Sequence, residues 1–157
     1  MKKILTILFI LFLLGSSVEA SQMNDIASFK ILFNSKTLAD ATPTGIFKVS
    51  IPASGYAGGS ISYNVQTTDA TDFQSHQGFV SFSAVNKAGV LTTDIVESAT
   101  LEVNSNSASA QTDAWSIVSG TNEITITVNV DTTLVTPTSM IIYYTVILNS
   151  QQPIQPL

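Results

Sequence analysis

The chain has 157 residues, no cysteine, no arginine and a single histidine, and its formal net charge is −5 at pH 7. Charged residues make up 11% of the sequence, compared with about 25% in ordinary soluble domains. Phosphate binding requires clustered lysine and arginine, so this composition excludes nucleic acid as a partner. The lack of cysteine also excludes disulfide-framed secreted folds and, with one histidine, zinc sites of the usual composition, and we expect no cofactor.

The first 20 residues have the features of a secretory signal peptide. A basic start precedes an apolar run from Ile4 to Leu14, and small and polar residues follow up to Ala20. The run is shorter than the roughly 20 residues that a membrane-spanning helix needs. We therefore expect an exported protein, extracellular or in a virion, whose leader (residues 1–20) is cleaved after Ala20. The alternative is a leader that is retained as an anchoring segment.

The remaining chain carries the period-two pattern of β-strands. Its clearest example runs from Ile124 to Val130, where apolar and polar residues alternate strictly. No segment keeps a helical period. These short strands and turns predict a single all-β domain over residues 21–150, an antiparallel β-sandwich of seven or eight strands with jelly-roll or immunoglobulin-like connections. An extended tail follows over residues 151–157.

The central hairpin, Gly59 to Gly89, contains a break in its pattern. Phe73 and Phe79 lie at odd positions, whereas the apolar residues that follow lie at even ones. Because side chains alternate strictly along a strand, this change predicts a β-bulge at Gly78–Phe79. Gly89 is expected to supply a positive φ in the tight turn that ends the hairpin's second strand.

The next segment, Val90 to Val103, has its apolar residues mainly at odd positions. Fully extended, it would be about 46 Å long, which is long for one strand of a small domain. We expect the chain to bend or break at Val96–Glu97, where the alternation is irregular.

Two pairs of residues are candidate binding sites. Asp69 and Asp72, in the hairpin loop, could bind calcium through their carboxylates. Their alternative role is to hydrogen bond to their own backbone and shape the turn. Tyr56 and Trp115 could form an aromatic platform for carbohydrate, although a tryptophan in a β-sandwich is more often part of the core.

Catalytic residues are not apparent in the sequence. His76 is expected to be a surface or strand-edge residue, because its neighbours are too local for a Ser-His-Asp triad. Ten acidic residues lie beyond residue 20, but no pair among them stands out as the carboxylates of a glycosidase. The sequence therefore predicts a protein that is not an enzyme.

The segment from Met140 to Leu148 is uncharged and apolar on both of its faces. Such a strand is covered on both sides, either within its own domain or by a second subunit. We interpret it as an oligomer interface formed by one set of alternate residues: Met140, Ile142, Tyr144, Val146 and Leu148.

Three segments between Leu38 and Gly89, namely LADATPTGIF, TDATDFQSHQG and SAVNKAG, resemble small β-domains of tailed-bacteriophage virion proteins, of the tail-fibre, appendage or decoration kind. The resemblance implies a non-enzymatic structural role in a repeated assembly. The expected partners are copies of the chain itself, other virion or surface proteins, and glycans. Two alternatives stay open: an exported adhesin or carbohydrate-binding module, and a pilin-like subunit completed by a donor strand.

Overall fold

In the computed structural model, the described residues are 29–106, 109–150 and 154–157, and all their regular elements are β-strands. The expected leader lies outside the described residues. In the part of the chain that is described, no helix is long and apolar enough to cross a membrane. The strands are β1 (Phe29–Thr37), β2 (Thr44–Ser50), β3 (Tyr56–Thr68), β4 (Phe73–Lys87), β5 (Val90–Asn104), β6 (Gln111–Ser119), β7 (Glu123–Thr132), β8 (Ser139–Asn149) and β9 (Ile154–Pro156).

These strands form two antiparallel sheets. The larger has the order β1-β8-β3-β4-β5 and the smaller β6-β7-β2-β9. The predicted all-β sandwich is confirmed, with nine strands rather than seven or eight because the end of the expected tail pairs with β2 as β9. The first strand lies beside the eighth and the second beside the seventh. This nesting favours a jelly-roll arrangement over the immunoglobulin order, in which the first two strands are neighbours in one sheet.

The core lies between the two sheets and is built from alternate residues of each strand. Phe47 of β2 joins the two layers, because its ring centroid lies 5.9 Å from that of Phe82 on β4 and 6.4 Å from that of Tyr144 on β8. Burying aromatic and branched side chains in this way is the main favourable contribution to folding. The fully buried members with no exposed surface are Ile46, Phe47, Val49, Ile51, Ile61, Val65, Val80, Ile124, Ile126, Val128, Ile142, Val146 and Leu148.

The interface proposed for β8 from the sequence is wrong for the residues that were named. All five of them point into the core of the single chain and are at most 3% exposed: Met140, Ile142, Tyr144, Val146 and Leu148. The opposite side of the same strand is the accessible one, with Tyr143 and Ile147 exposed. β8 is therefore covered on one face by the core, while its other face belongs to the exposed side of the larger sheet.

The irregularity predicted at Gly78 is present, but the additional residue belongs to β5. β4 alternates without a break, so Phe73 and Phe79 face outward, and its pairing with β3 is regular. Against β5, Gln77 is opposite Leu101 and Phe79 is opposite Ser98, so residues 99–100 face Gly78 alone. β5 is therefore one bulged strand and does not break at Val96–Glu97.

The bulge reverses the faces of β5. Before it, odd positions such as Glu97 face β6, and after it Leu101 and Val103 are exposed on the outside of the sheet while Glu102 accepts a hydrogen bond from the Gln111 amide of β6. A uniform alternation would have placed both apolar residues inside. The two-residue turn before β5 has positive φ at Ala88 (54°) and Gly89 (90°), the type I′ geometry that suits a hairpin's twist.

Two isoleucines on opposite faces of β8 test this assignment. Ile142→Ala removes a fully buried side chain and is expected to lower the free energy of unfolding by about 2–5 kcal/mol. Ile147→Ala, at a position 43% exposed, is expected to cost less than about 1.5 kcal/mol. Chemical denaturation of the two variants measures the difference. Equal losses would contradict the one-sided burial of this strand.

Candidate functional site

The core becomes polar where β4 faces β6. Four uncharged polar side chains are buried there and bond in pairs: the Thr67 hydroxyl donates to Gln111 Oε1 at 2.7 Å, and the Thr132 hydroxyl donates to Gln74 Oε1. Buried polar groups are normally held by hydrogen bonds in this way. The two pairs form a polar layer that lies next to a group of ionisable side chains.

Those ionisable groups are His76 on β4, Glu97 on β5 and Asp113 on β6. One nitrogen or oxygen atom from each lies within 4.8 Å of the other two. His76 Nε2 is 3.5 Å from Asp113 Oδ1, and both side chains are more than nine-tenths buried. β5 and β6 are edge strands of different sheets. The group therefore closes one side of the sandwich, where no backbone ladder joins the two layers.

Two aromatic side chains hold the carboxylates in place. The Trp115 indole donates from Nε1 to Asp113 Oδ2 at 2.8 Å. The Tyr63 hydroxyl, from β3, donates to Glu97 Oε1. The ring of Tyr63 also lies 5.0 Å from that of Trp115 and 6.2 Å from that of His76, measured between centroids. The site thus combines one imidazole, two carboxylates, one phenol and one indole.

The environment raises the pKa of the Glu97 carboxyl and of the Tyr63 hydroxyl. Burial is the largest cause at Glu97, and the neighbouring Asp113 carboxylate adds to it, whereas the Tyr63 hydrogen bond acts in the opposite sense; the result is a pKa of about 7. Burial also raises the pKa of the Tyr63 hydroxyl well above its usual range, and the neighbouring carboxylates of Asp113 and Glu97 add to this. Tyr63 therefore acts only as a hydrogen-bond donor here.

Gly78 makes room for Tyr63. The two residues are cross-strand partners, and a Cβ on Gly78 would lie 2.7 Å from the Tyr63 hydroxyl oxygen. Such a contact is closer than van der Waals radii allow. Glycine is required at this position by the aromatic ring rather than by the backbone, because its φ is not in the positive region.

The proposed aromatic platform is not assembled. Trp115 is partly buried against Tyr63, whereas Tyr56 is exposed at the far end of the same strand, β3. Seven residues of strand separate Tyr56 from Tyr63, a distance of about 23 Å. Carbohydrate binding by either residue alone stays a prediction.

Asp69 and Asp72 lie in the loop between β3 and β4. Asp69 Oδ1 accepts the backbone amides of Thr71 at 2.8 Å and of Asp72 at 2.7 Å. These bonds lower the pKa of the Asp69 carboxyl and form the self-bonded turn that was the alternative to calcium binding. Calcium binding at this loop stays a prediction.

His76 is buried, contrary to its expected place at the surface or strand edge. The sequence contained a sign of this, because His76 lies at even positions with the inward-facing Val80 and Phe82. Likewise Glu97 and Asp113 lie at the same parity as the apolar residues of their segments, Ile95 and Ile117. The alternation alone therefore indicates that an ionisable side chain points inward on each of three strands.

A tight group of two carboxylates and one imidazole can share a proton or bind a cation. Atoms of Glu97 and Asp113 approach within 4.8 Å, and the Asp113 side chain is 2% exposed.

Gly78→Ala tests the packing of Tyr63. The new Cβ would force the buried ring to shift, so we expect the free energy of unfolding to fall by about 1–3 kcal/mol. Gly58→Ala is the matched control, because its Cβ would meet no atom closer than 3.4 Å. Thermal and chemical denaturation measure both variants. A Gly78→Ala protein as stable as the control would contradict this role.

Glu97→Gln tests the raised pKa. A raised carboxyl pKa means that the folded state holds the proton more tightly, so the stabilisation is present at low pH and is lost as pH rises from the ordinary glutamate range through about 7. In metal-free buffer the native protein should therefore lose stability between pH 5 and pH 8 relative to the variant. Parallel pH profiles of the free energy of unfolding would contradict this.

No family model and no curated protein sequence matches the chain. Its fold resembles part of three tailspike structures. The match to the tailspike of Acinetobacter baumannii phage AM24 has a TM-score of 0.52 and 9% identity, and covers 85% of this chain and 29% of that one.

The other two matches are to the tailspike of Acinetobacter phage vB_ApiP_P1 (TM-score 0.43, 18% identity, 83% of this chain and 22% of that one) and to gp49 of A. baumannii phage Fri1, a capsular polysaccharide depolymerase (0.40, 12%, 82% and 19%). The chain thus spans less than a third of each tailspike. At the level of fold, the resemblance to a tail-appendage β-domain that the sequence indicated is confirmed.

Proposed function

We propose that this chain is a structural, non-enzymatic β-sandwich of a phage virion appendage and that it assembles with copies of itself. The likeness of its fold to part of a phage tailspike supports the setting. The observation that carries the assembly is the surface of the larger sheet that points away from the core, which we call the outer face.

The outer face contains four adjacent rows of five residues, one residue from each strand, defined by the register of β1, β8, β3, β4 and β5. The next row of the same face includes the exposed Asp94 of β5. None of the twenty residues in the four rows is charged. Eight of them are apolar or aromatic side chains that are exposed: Ile31, Phe33, Phe79, Val96, Leu101, Val103, Tyr143 and Ile147. Large exposed apolar patches on soluble domains mark interaction sites.

A second copy of this chain suits the outer face because the four rows are neutral while the whole chain carries a formal charge of −5. Two acidic copies that meet elsewhere would bring like charges together, whereas two neutral faces would not. The polar residues between the apolar ones, such as Asn64 and Gln77, can pair across an interface without burying a charge. Aromatic anchors such as Phe33, which is 74% exposed, would contribute most of the affinity.

The absence of enzymatic activity is proposed on the geometry of the site. The two carboxylates that lie close together, Glu97 and Asp113, are held by Tyr63 and Trp115 inside the sandwich. His76 is equally buried. A structural role for these groups accounts for their burial, which an enzyme acting on a polymer would not need.

Placing a charge on the outer face tests the assembly. Phe79→Glu and Leu101→Glu should convert the full-length protein from an oligomer to a monomer, because each buries an unpaired carboxylate in the interface. Val135→Glu is the matched control, since Val135 is 91% exposed in the loop before β8 and lies off the face. Size-exclusion chromatography with light scattering measures all four proteins.

A native protein that stays monomeric at every concentration would overturn self-assembly and would indicate that the face binds a different virion protein. An oligomer that survives both face substitutions would overturn the choice of surface. Incubation with capsular polysaccharide tests the remaining claim, and release of reducing ends by the purified protein would contradict the non-enzymatic role.

A further inference from the structure

The group formed by His76, Glu97 and Asp113 lies inside the sandwich, apart from the outer face on which assembly is proposed. The three residues come from β4, β5 and β6, and one ligand atom of each lies within 4.8 Å of the others. Burying two carboxylates together is costly unless a positive charge accompanies them. The four lysines beyond residue 20 lie at positions 30, 36, 48 and 87, and none belongs to this group.

The imidazole of His76 provides a second, independent observation. The residue is 7% exposed, and neither ring nitrogen makes a hydrogen bond with any residue that the structure describes. Buried imidazoles nearly always have a partner. Nε2 lies 3.5 Å from Asp113 Oδ1, without hydrogen-bond geometry. A cation between them would satisfy both atoms.

The distances suit a small divalent ion. A tetrahedral ion with bonds of about 2.1 Å holds its ligand atoms about 3.4 Å apart, close to the 3.5 Å between His76 Nε2 and Asp113 Oδ1. Glu97 has the longer side chain and is only half-buried at the edge strand β5. Its ligand atom lies within 4.8 Å of the other two and would be the third ligand.

The surrounding residues orient the ligands as outer-shell residues do in metal sites. The Trp115 indole donates to Oδ2 of Asp113, which leaves Oδ1 directed toward His76. Tyr63 holds Glu97 through Oε1. Hydrogen bonds of this kind to ligating carboxylates are a regular feature of metal sites and raise affinity.

We propose that His76, Glu97 and Asp113 bind one divalent transition-metal ion of the zinc type. Two carboxylates and a neutral imidazole balance its charge, and the nitrogen ligand favours zinc and its neighbours over calcium and magnesium, which prefer oxygen alone. The ion ties β5 of the larger sheet to β6 of the smaller one, which no backbone ladder joins. Its role is structural, and a bound ion would contradict the expectation from composition that no zinc site and no cofactor is present.

The experiment uses the untagged, full-length protein after treatment with a chelator. Titration with ZnCl₂ in a calorimeter should give one equivalent per chain, whereas CaCl₂ should give no binding at this site. At a free zinc concentration about a hundred times the Kd, the Tm should rise by roughly 5–10 °C.

Two isosteric variants remove single ligands. Glu97→Gln and Asp113→Asn should each weaken zinc binding by more than about tenfold. Glu97→Gln replaces the group at the edge strand and keeps an acceptor for Tyr63, so it tests the proposal even where Asp113→Asn fails to fold. Asp131→Asn, an exposed carboxylate of β7, is the matched control and should bind zinc as the native protein does.

The single histidine of the chain gives a direct spectroscopic readout. One imidazole spin system is present, so zinc should shift only the His76 ring nitrogens in a long-range nitrogen–proton spectrum, with a change typical of a metal-bound nitrogen. Substoichiometric zinc binding, an unchanged His76 ring at saturation, or equal affinity in Glu97→Gln and the native protein would each overturn the proposal.

Discussion

The structure depends on one constraint: two sheets with no helix and no disulfide between them, in the described residues, must share a single layer of side chains. Each strand supplies every second residue to that layer, and packing across it is what fixes the sheets relative to each other. Phe47 illustrates this, since its ring contacts two strands of the opposite sheet. The ionisable group lies where the inward residues are not apolar. The bulge lies where the inward and outward positions of β5 are exchanged.

Much of the fold could be predicted from local pattern. Strict alternation from Ile124 to Val130 and the turn at Gly89 depend on residues adjacent in sequence, and both were identified correctly. The buried face of β8 could not be predicted, because both of its faces are apolar in the sequence. Only the stacking of the two sheets places its even positions in the core and its odd positions outside.

The site was missed for a related reason. His76, Glu97 and Asp113 are distant in sequence, and each looked like an isolated polar residue on its own strand. Their inward parity could be inferred, but their meeting requires β5 and β6 to lie on the same side of the sandwich, which depends on how the two sheets are stacked. The loop aspartates were candidates for calcium binding because they are close together in sequence. In the structure, Asp69 accepts hydrogen bonds from the backbone of its own turn.

The bulge opposite Gly78 divides β5 into two halves whose side chains have different roles. The first half contributes Glu97 to the interior, and the second half places Leu101 and Val103 on the outer face. Deleting one residue of the bulge would reverse the inward and outward sides of the β5 residues that follow it. Leu101 and Val103 would then point inward, and Glu102 would point away from β6. The number of residues in the bulge therefore determines both the interior site and the outer face. An insertion or deletion at this point would alter both together.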